Sequence, residues 1–331
     1  MNMMPIAEKF GYVDQASLTV LVDNKADMMA ESGETIKYFD DKPLLAEHGF
    51  AVLMHFGDDK NSILWDAGVS RMALIENIRR MKINPKSIKK IVLSHGHDDH
   101  YAAMGEVLAE MDLLQDGKEW DEPVTAEGVE KWIEENRIPL IAHPAAFRER
   151  WGVKKDGTKV GPFLPPPIHE WESRGAKLIL SEGPYQLRPG CWTTGYVPRG
   201  SFEKSGRPEQ LLYRKGDELQ PDDLDEDQAI VINVRKKGLV VLAGCAHSGI
   251  VNTVNYAKEI SGIDRIWAII GGFHLGRTKD EEVQLTIDAI KAVEPELIVP
   301  CHCTGFRAAS RFADQMPVAF KEGVVGATYL F

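Results

Sequence analysis

Residues 94–100 read Ser-His-Gly-His-Asp-Asp-His, so His95, His97, Asp99 and His100 put four potential metal ligands within six positions. Imidazole nitrogens and carboxylate oxygens are the donors that hold zinc, iron or manganese. In extended backbone, side chains alternate faces, so His95 and His97 point the same way and Asp99 follows if the chain stays extended. His100 points elsewhere unless the backbone turns. A strand running into a turn here presents two imidazoles to one ion and an Asp/His pair to a second. The bland alternative is a histidine-rich surface turn. Three His and two Asp bracketed by apolar segments would make a costly solvated loop with no task, which weighs against it.

A centre for two ions needs more than four donors, and the rest must come from strand ends on the same edge. His247, in Gly244-Cys245-Ala246-His247-Ser248-Gly249, and His302, in Cys301-His302-Cys303, each follow a predicted strand and precede a predicted helix. Alone, each reads as a histidine capping a helix; beside residues 94–100, both read as ligands. His274, after Gly271-Gly272-Phe273, is balanced between a substrate contact and a structural polar group, and His48 is weighed the same way. His143, before Pro144, reads as structural, His55 as an ordinary sheet residue and His169 as part of a polar loop. Asp66, at the exit of a predicted hairpin, is either a turn former before Ala67-Gly68 or the carboxylate that holds the second ring nitrogen of a ligating histidine. Cys245 is a thiolate ligand or, more commonly for such a cysteine, a small buried residue. Cys301 and Cys303 read as packing.

The elements that must position these groups follow from pattern. Residues 90–94 read as a buried strand and 101–111 as a helix, so the first ligands sit at a strand's C-terminal end, where α/β proteins place chemistry. Residues 50–56 and 62–65 form a hairpin around a Gly-Asp-Asp-Lys-Asn turn, and 229–234 with 239–243 form another. Residues 71–81 are an amphipathic helix with Met72, Ile75, Ile78 and Leu74 inward. Strands are expected at 18–22, 139–142, 176–180, 185–194, 266–270, 297–300 and 324–331. Helices are expected at 126–136, from 143 to 150, at 250–260 and 280–293, and from Thr304 onward. Residues 152–170 read as a mobile loop and 199–227 as a polar segment able to cover a pocket. Hairpins in each half, each followed by helix–strand alternation, predict two packed sheets with helices outside: a four-layer αββα sandwich in one 331-residue domain with insertions near 112–137, 152–170 and 199–227.

The totals set bounds. A chain of 331 residues buries roughly 75% of its unfolded surface and needs no disulfide staples. Its 44% hydrophobic and 27% charged residues are those of an ordinary globular protein. A net charge of −11 argues against nonspecific binding to nucleic acid or anionic membrane. Bound cations can still draw in an anionic substrate. Four cysteines without a C-x-x-C spacing read as reduced thiols of a cytoplasmic protein. Neither a signal peptide nor an apolar run of membrane-spanning length is visible.

Ser94-His95-Gly96-His97-Asp98-Asp99-His100 resembles the signature loop of the metallo-β-lactamase superfamily. Asp66 in Ile63-Leu64-Trp65-Asp66-Ala67-Gly68 resembles its preceding acidic motif and His302 its last histidine motif. A nearer likeness is to the subgroup resembling the archaeal 7,8-dihydropterin-6-methyl-4-(β-D-ribofuranosyl)aminobenzene-5'-phosphate synthase. It rests on Val20-Leu21-Val22-Asp23-Asn24, Glu47-His48-Gly49-Phe50, Gly195-Tyr196-Val197-Pro198-Arg199, Gly244 to Gly249, Gly271-Gly272-Phe273-His274-Leu275 and His302-Cys303-Thr304-Gly305. The resemblance departs in three places. Gly195-Tyr196-Val197-Pro198-Arg199 stands for the superfamily's Pro-Gly-His type turn, the region of Cys245 and His247 for its bridging aspartate, and Tyr101-Ala102-Ala103 for the usual Thr-Gly-Gly.

The resemblance implies the αββα fold and one or two divalent ions, zinc first with iron or manganese as alternatives. His95, His97 and His247 would hold one ion, and Asp99, His100 and His302 the other. Asp66, Asp99 and His274 are the implied catalytic positions. The implied activity is metal-assisted hydrolysis of an ester, phosphoester or similar bond in a small, anionic or phosphorylated molecule. Two alternatives stand beside it. One is a condensing transferase joining a pterin pyrophosphate to an aminobenzene ribofuranosyl phosphate, with Arg199, Lys204 and Arg207 as phosphate-binding candidates. The other is a non-catalytic metal-binding sensor. The sequence leaves substrate, ion identity and number, and oligomeric state open.

Overall fold

The computed structural model describes residues 6–57, 60–113, 125–203 and 210–331. In chain order the strands are β1 Ser17–Val22, β2 Ile36–Tyr38, β3 Ala51–His55, β4 Ser62–Trp65, β5 Ile88–Val92, β6 Ile138–Ala142, β7 Arg150–Val153, β8 Lys159–Phe163, β9 Ala176–Leu180, β10 Tyr185–Arg188, β11 Cys191–Thr193, β12 Leu211–Lys215, β13 Glu218–Pro221, β14 Ala229–Val234, β15 Gly238–Ala243, β16 Ile266–Gly272, β17 Leu297–Cys301 and β18 Ala327–Leu330. The helices are α1 Ile6–Lys9, α2 Arg71–Arg80, α3 Asp98–Tyr101, α4 Met104–Met111, α5 Ala126–Asn136, α6 Ile168–Ser173, α7 Ile250–Ser261, α8 Asp280–Val293 and α9 Phe306–Gln315.

The strands form an eight-stranded sheet in the order β2-β18-β1-β3-β4-β5-β6-β9, a six-stranded sheet β10-β11-β14-β15-β16-β17 and a small four-stranded sheet β13-β12-β7-β8. Alternation along the strands explains the layering. In β14, Ile230, Ile232 and Val234 face the space between the two large sheets, while Val231 faces the helices outside. In β15, Val240 and Leu242 face inward, and Leu239, Val241 and Ala243 face out. From the other sheet, Val52, Met54, Ile63 and Trp65 complete the inner layer. Residues of α2, α4 and α6 cover the outer face of the eight-stranded sheet, and residues of α7, α8 and α9 that of the six-stranded sheet. Helix, sheet, sheet, helix is the expected sandwich.

Four local readings change. The strand expected at 185–194 is a hairpin, β10 pairing antiparallel with β11. Residues 152–170 do not form a loop: β7 and β8 pair there, and β7 also pairs with β12, which lies in the predicted cover at 199–227. Glycines at 152, 157 and 161 and a proline at 162 disguise these strands, and β12, the other partner of β7, lies about sixty residues on, beyond any local pattern. The helix expected from 143 to 150 is one 3-10 turn, Pro144–Phe147. Met72 is 73% exposed, because it lies about 160° around the helix from Leu74, which is fully buried.

The two large sheets place the chemistry. β4, β5, β6 and β9 run parallel in one, and β15, β16 and β17 in the other. Their registers align Trp65 with Val92, Ala243 with Gly271 and Gly272 with Cys301. The C-terminal ends of β4, β5, β15, β16 and β17 therefore open onto common ground between the sheets. Among the described residues, no helix is long and apolar enough to cross a membrane.

Candidate metal centre

Beyond β5 the backbone is held open and then turned. Ser94 N donates to Asp66 Oδ1 at 2.7 Å, Asp66 N donates to Val92 O at 2.9 Å, and Ala67 N donates to His100 O at 2.7 Å. The chain turns into α3 directly after His97, which brings His100 round to the same centre as its predecessors. Gly96 is required for the approach: a Cβ there would lie 2.1 Å from Ala146 O and 2.8 Å from Arg150 Nη1. Arg150, itself buried, donates to the carbonyls of Ala145 and Ala146 and pairs with Asp222 (2.7 Å) and Glu226. The small sheet thus braces the loop from behind.

Three imidazoles meet first. His95 Nε2 lies 3.0 Å from His97 Nδ1 and 3.3 Å from His247 Nε2. Ser94 Oγ, 2.8 Å from His95 Nδ1, fixes that ring from its far side. Burial holds all three below the ordinary imidazole value, with His97 at about 4 and neighbouring imidazoles adding to the effect on His95 and His247. They are neutral rings with lone pairs to offer.

A second group adjoins it. Asp99 Oδ2 lies 3.2 Å from His302 Nε2, 3.6 Å from His100 Nε2 and 3.5 Å from His48 Nε2. Cys245 Sγ lies 3.2 Å from His100 Nε2. The second nitrogen of His100 donates to Asp66 Oδ2 at 2.7 Å, both side chains being fully buried. Burial pulls His100 down, but Asp99 and Asp66 together raise it to about 9. Burial likewise pushes Asp99 up, yet His100 and His302 hold it below the ordinary carboxylate range.

The donors within each group, His95/His97/His247 and Asp99/His100/Cys245/His302, lie within 4.8 Å of one another. His302 Nε2 is buried and has no aligned hydrogen-bond partner, and one nitrogen of His95 faces two other rings at once. Three neutral imidazoles beside a carboxylate and two further histidines, with buried nitrogens left over, fit divalent cations better than they fit any internal hydrogen-bond pattern.

The structure brings all six expected ligand positions, His95, His97, Asp99, His100, His247 and His302, to this centre, with Asp66 directly behind His100. His274 stands at the rim: it is exposed, its ring centroid lies 4.2 Å from that of His247, and its φ of 50° is unusual for a residue other than glycine. His48 also stands at the rim, stacked on His302 at 5.0 Å, with Nδ1 3.2 Å from Asn24 Oδ1. His143 Nδ1 accepts from Ala145 N, and His169 is exposed on α6, away from the cluster.

Several supporting residues were not singled out by the sequence. Asp23 has no role in the sequence pattern beyond its place in a resembling segment, but its Oδ1 accepts from His302 N at 3.0 Å, and burial raises it to about 6. Asp227 Oδ2 accepts from Ser248 N at 2.8 Å and steadies the His247 turn. Nothing local marks either, because each contact closes a long stretch of chain. Arg199 has partners of its own: its guanidinium faces Asp225 at 3.9 Å and donates to the carbonyls of Asp223 and Leu224. Lys204 and Arg207 lie outside the described residues.

Comparison with known proteins agrees with this fold. The profile of the Metallo-beta-lactamase superfamily matches residues 46–302. The chain is 30% identical over 284 residues, 84% of its length and 88% of the other's, to the 7,8-dihydropterin-6-methyl-4-(beta-D-ribofuranosyl)-aminobenzene-5'-phosphate synthase of Methanocaldococcus jannaschii. Among solved structures it is similar to Tm1679, described as a metal-dependent hydrolase of the beta-lactamase superfamily (TM-score 0.68, 22% identity, covering 95% of this chain and 98% of that one). It is also similar to the metallo-beta-lactamase fold protein YhfI from Bacillus subtilis (TM-score 0.52, 13% identity, covering 96% and 100%).

Proposed function

The chain belongs to the metallo-beta-lactamase superfamily, and from that premise we propose that it is a metal-dependent hydrolase of a small, anionic or phosphorylated molecule. The observation that carries the reading is the triad of neutral imidazoles, buried His95 and His247 with half-buried His97, which supplies three donors beside the carboxylate of Asp99. Three protein donors leave room at an ion for a further ligand, the mark of catalytic rather than structural sites. Divalent ions, when bound, supply the charge that polarises the bond under attack and acidifies water towards neutral pH.

The chain's own residues do the rest. Asp66 holds the His100 ring through its Nδ1–H and so leaves Nε2 free to face the centre. Ser94 does the same for His95. Asp99 lies among His48, His100 and His302, where its depressed pKa keeps it a carboxylate; with a single ion present it is the group placed to accept a proton. His274, exposed at the rim, is positioned to touch substrate. The ions' charge offsets the chain's own negative charge and favours an anionic ligand. None of the four cysteines is bridged, which favours a reducing compartment such as the cytoplasm.

A second reading has its own support. Likeness to a synthase over 84% of the chain favours transfer of a pterin group from pyrophosphate to an aromatic amine carrying ribofuranosyl phosphate. A product screen separates the two. Pyrophosphate released from a pterin pyrophosphate with water alone supports hydrolysis. Release only when the amine acceptor is present overturns hydrolysis in favour of transfer.

A further inference from the structure

His48 is a surface residue held like a buried one. Its side chain is 68% exposed, yet its ring is fixed from several directions. It stacks on His302 with centroids 5.0 Å apart and 23° between the planes. Nδ1 lies 3.2 Å from Asn24 Oδ1. Asn24 Nδ2 donates to His302 O at 2.9 Å, which turns the amide so that its oxygen faces the imidazole and takes the Nδ1 proton. Nε2 is left on the side of Asp99. The backbone is held as tightly. Glu47 N donates to Asp23 O at 3.1 Å, Ser70 N to Glu47 Oε1 at 2.8 Å, and Phe50 N to Asp99 O at 3.2 Å. A Cβ on Gly49 would lie 2.9 Å from Val69 N and 3.0 Å from Asp99 O. An exposed imidazole without a task gains nothing from such restraint and loses rotamer freedom to it.

His48 Nε2 lies 3.5 Å from Asp99 Oδ2. A direct charge-assisted bond would be about 2.7–2.9 Å long, so neither atom is spent on the other. With Nδ1 carrying the proton, both face the gap as acceptors. A molecule with two hydrogens on one atom fits across them: an oxygen or nitrogen about 2.8–3.0 Å from each closes a triangle on the 3.5 Å base. Water and a primary amine have that form, and they are the nucleophiles of hydrolysis and of transfer. We propose that His48 is a further catalytic residue, whose Nε2 accepts a hydrogen bond from the attacking water or amine and, with Asp99, orients it. This rests on the reading that the chain binds divalent metal and uses it for attack by one of these two groups. His100 and His302 reach Asp99 from buried positions, whereas His48 reaches it from the solvent side, where substrate arrives. His274 flanks the other donor group, beside His247. The pair of acceptors makes the site selective, since an alcohol or a secondary amine, with one hydrogen, leaves one of them unmet.

Crystals of the zinc-loaded full chain decide this without a substrate. A water oxygen within about 3.2 Å of both His48 Nε2 and an Asp99 oxygen is expected. Its absence beside a filled centre overturns the proposal and leaves the metal reading intact, as does Nε2 bonded directly to Asp99. His48→Phe keeps an aromatic ring on His302 and removes the nitrogens. It should retain wild-type zinc content and Tm and lose that water. In the screen for released pyrophosphate, with pterin pyrophosphate and either water or the aromatic amine, its kcat should fall on the order of 100-fold with KM within about twofold of wild type. His48→Gln, which offers an acceptor again, should recover part of the loss. Wild-type kcat in zinc-replete His48→Phe overturns the proposal. So does a loss of zinc that matches the loss of turnover, since His48 would then only support His302. Wild-type protein that takes up no zinc defeats the parent reading along with this one.

Discussion

Asp66 Oδ2 accepts the Nδ1 proton of His100 at 2.7 Å, and neither side chain has any contact with solvent. The bond joins the end of β4 to the turn after β5 and fixes which ring nitrogen faces Asp99 and Cys245. Asp66 also receives Ser94 N, so one carboxylate sets both the backbone and the ring.

Asp66→Asn should therefore damage metal binding without touching a ligand. Outer partners of ligating histidines typically contribute about 10–100-fold to metal affinity or activity. A chelator competition that finds zinc affinity within twofold of wild type would remove Asp66 from this role.

Gly96→Ala should be far worse than its size implies. The added methyl has no space beside Ala146 O and Arg150, so the loop carrying His95 and His97 must shift. Overpacking of this kind costs about 1–3 kcal/mol. Thermal unfolding should show that loss together with reduced metal content. Wild-type metal content in a merely destabilised variant would mean that the loop accommodates the methyl elsewhere.

Removing metal should lower stability, because the donors come from loops after β5, β15 and β17 and an ion ties them together. A ligand present at about 100 times its Kd adds about 2.7 kcal/mol to the native state. Chelation should lower Tm, and added zinc should restore it. His97→Ala should lose bound metal and turnover together, and a variant with unchanged metal content counts against the three-imidazole site.

Glu226 offers a pH signature away from the ligands. Burial raises it from an ordinary carboxylate value to about 7; Arg150 opposes this and Asp222 adds to it. A carboxyl group whose native pKa lies above its unfolded pKa favours the folded state while protonated. That contribution is complete below about 4.5 and is lost as pH climbs through about 7. Glu226→Gln, which cannot ionise, should show a smaller fall in Tm between pH 5 and pH 8 than the parent chain. Parallel Tm profiles would contradict this.

The residues gathered at the candidate centre could be read from the chain before any coordinates. Three histidines and an aspartate in residues 94–100 depend only on strand alternation and one turn, and His247 and His302 on strand ends followed by helices. The apolar runs of β14 and β15 likewise revealed a hairpin buried on both faces, but a continuous run leaves open which residue faces which side. Tertiary structure alone decided what crosses the space between the sheets. It set Cys245 against His100 over 145 positions, Asp23 beneath His302 over 279, and Arg150 behind Gly96. It also paired β7 with β12, turning two expected loops into a sheet. Hydrogen bonds and donor sets of this kind are fixed by where separate strands end relative to one another, and that relation follows from sheet-on-sheet packing rather than from any window of neighbouring residues.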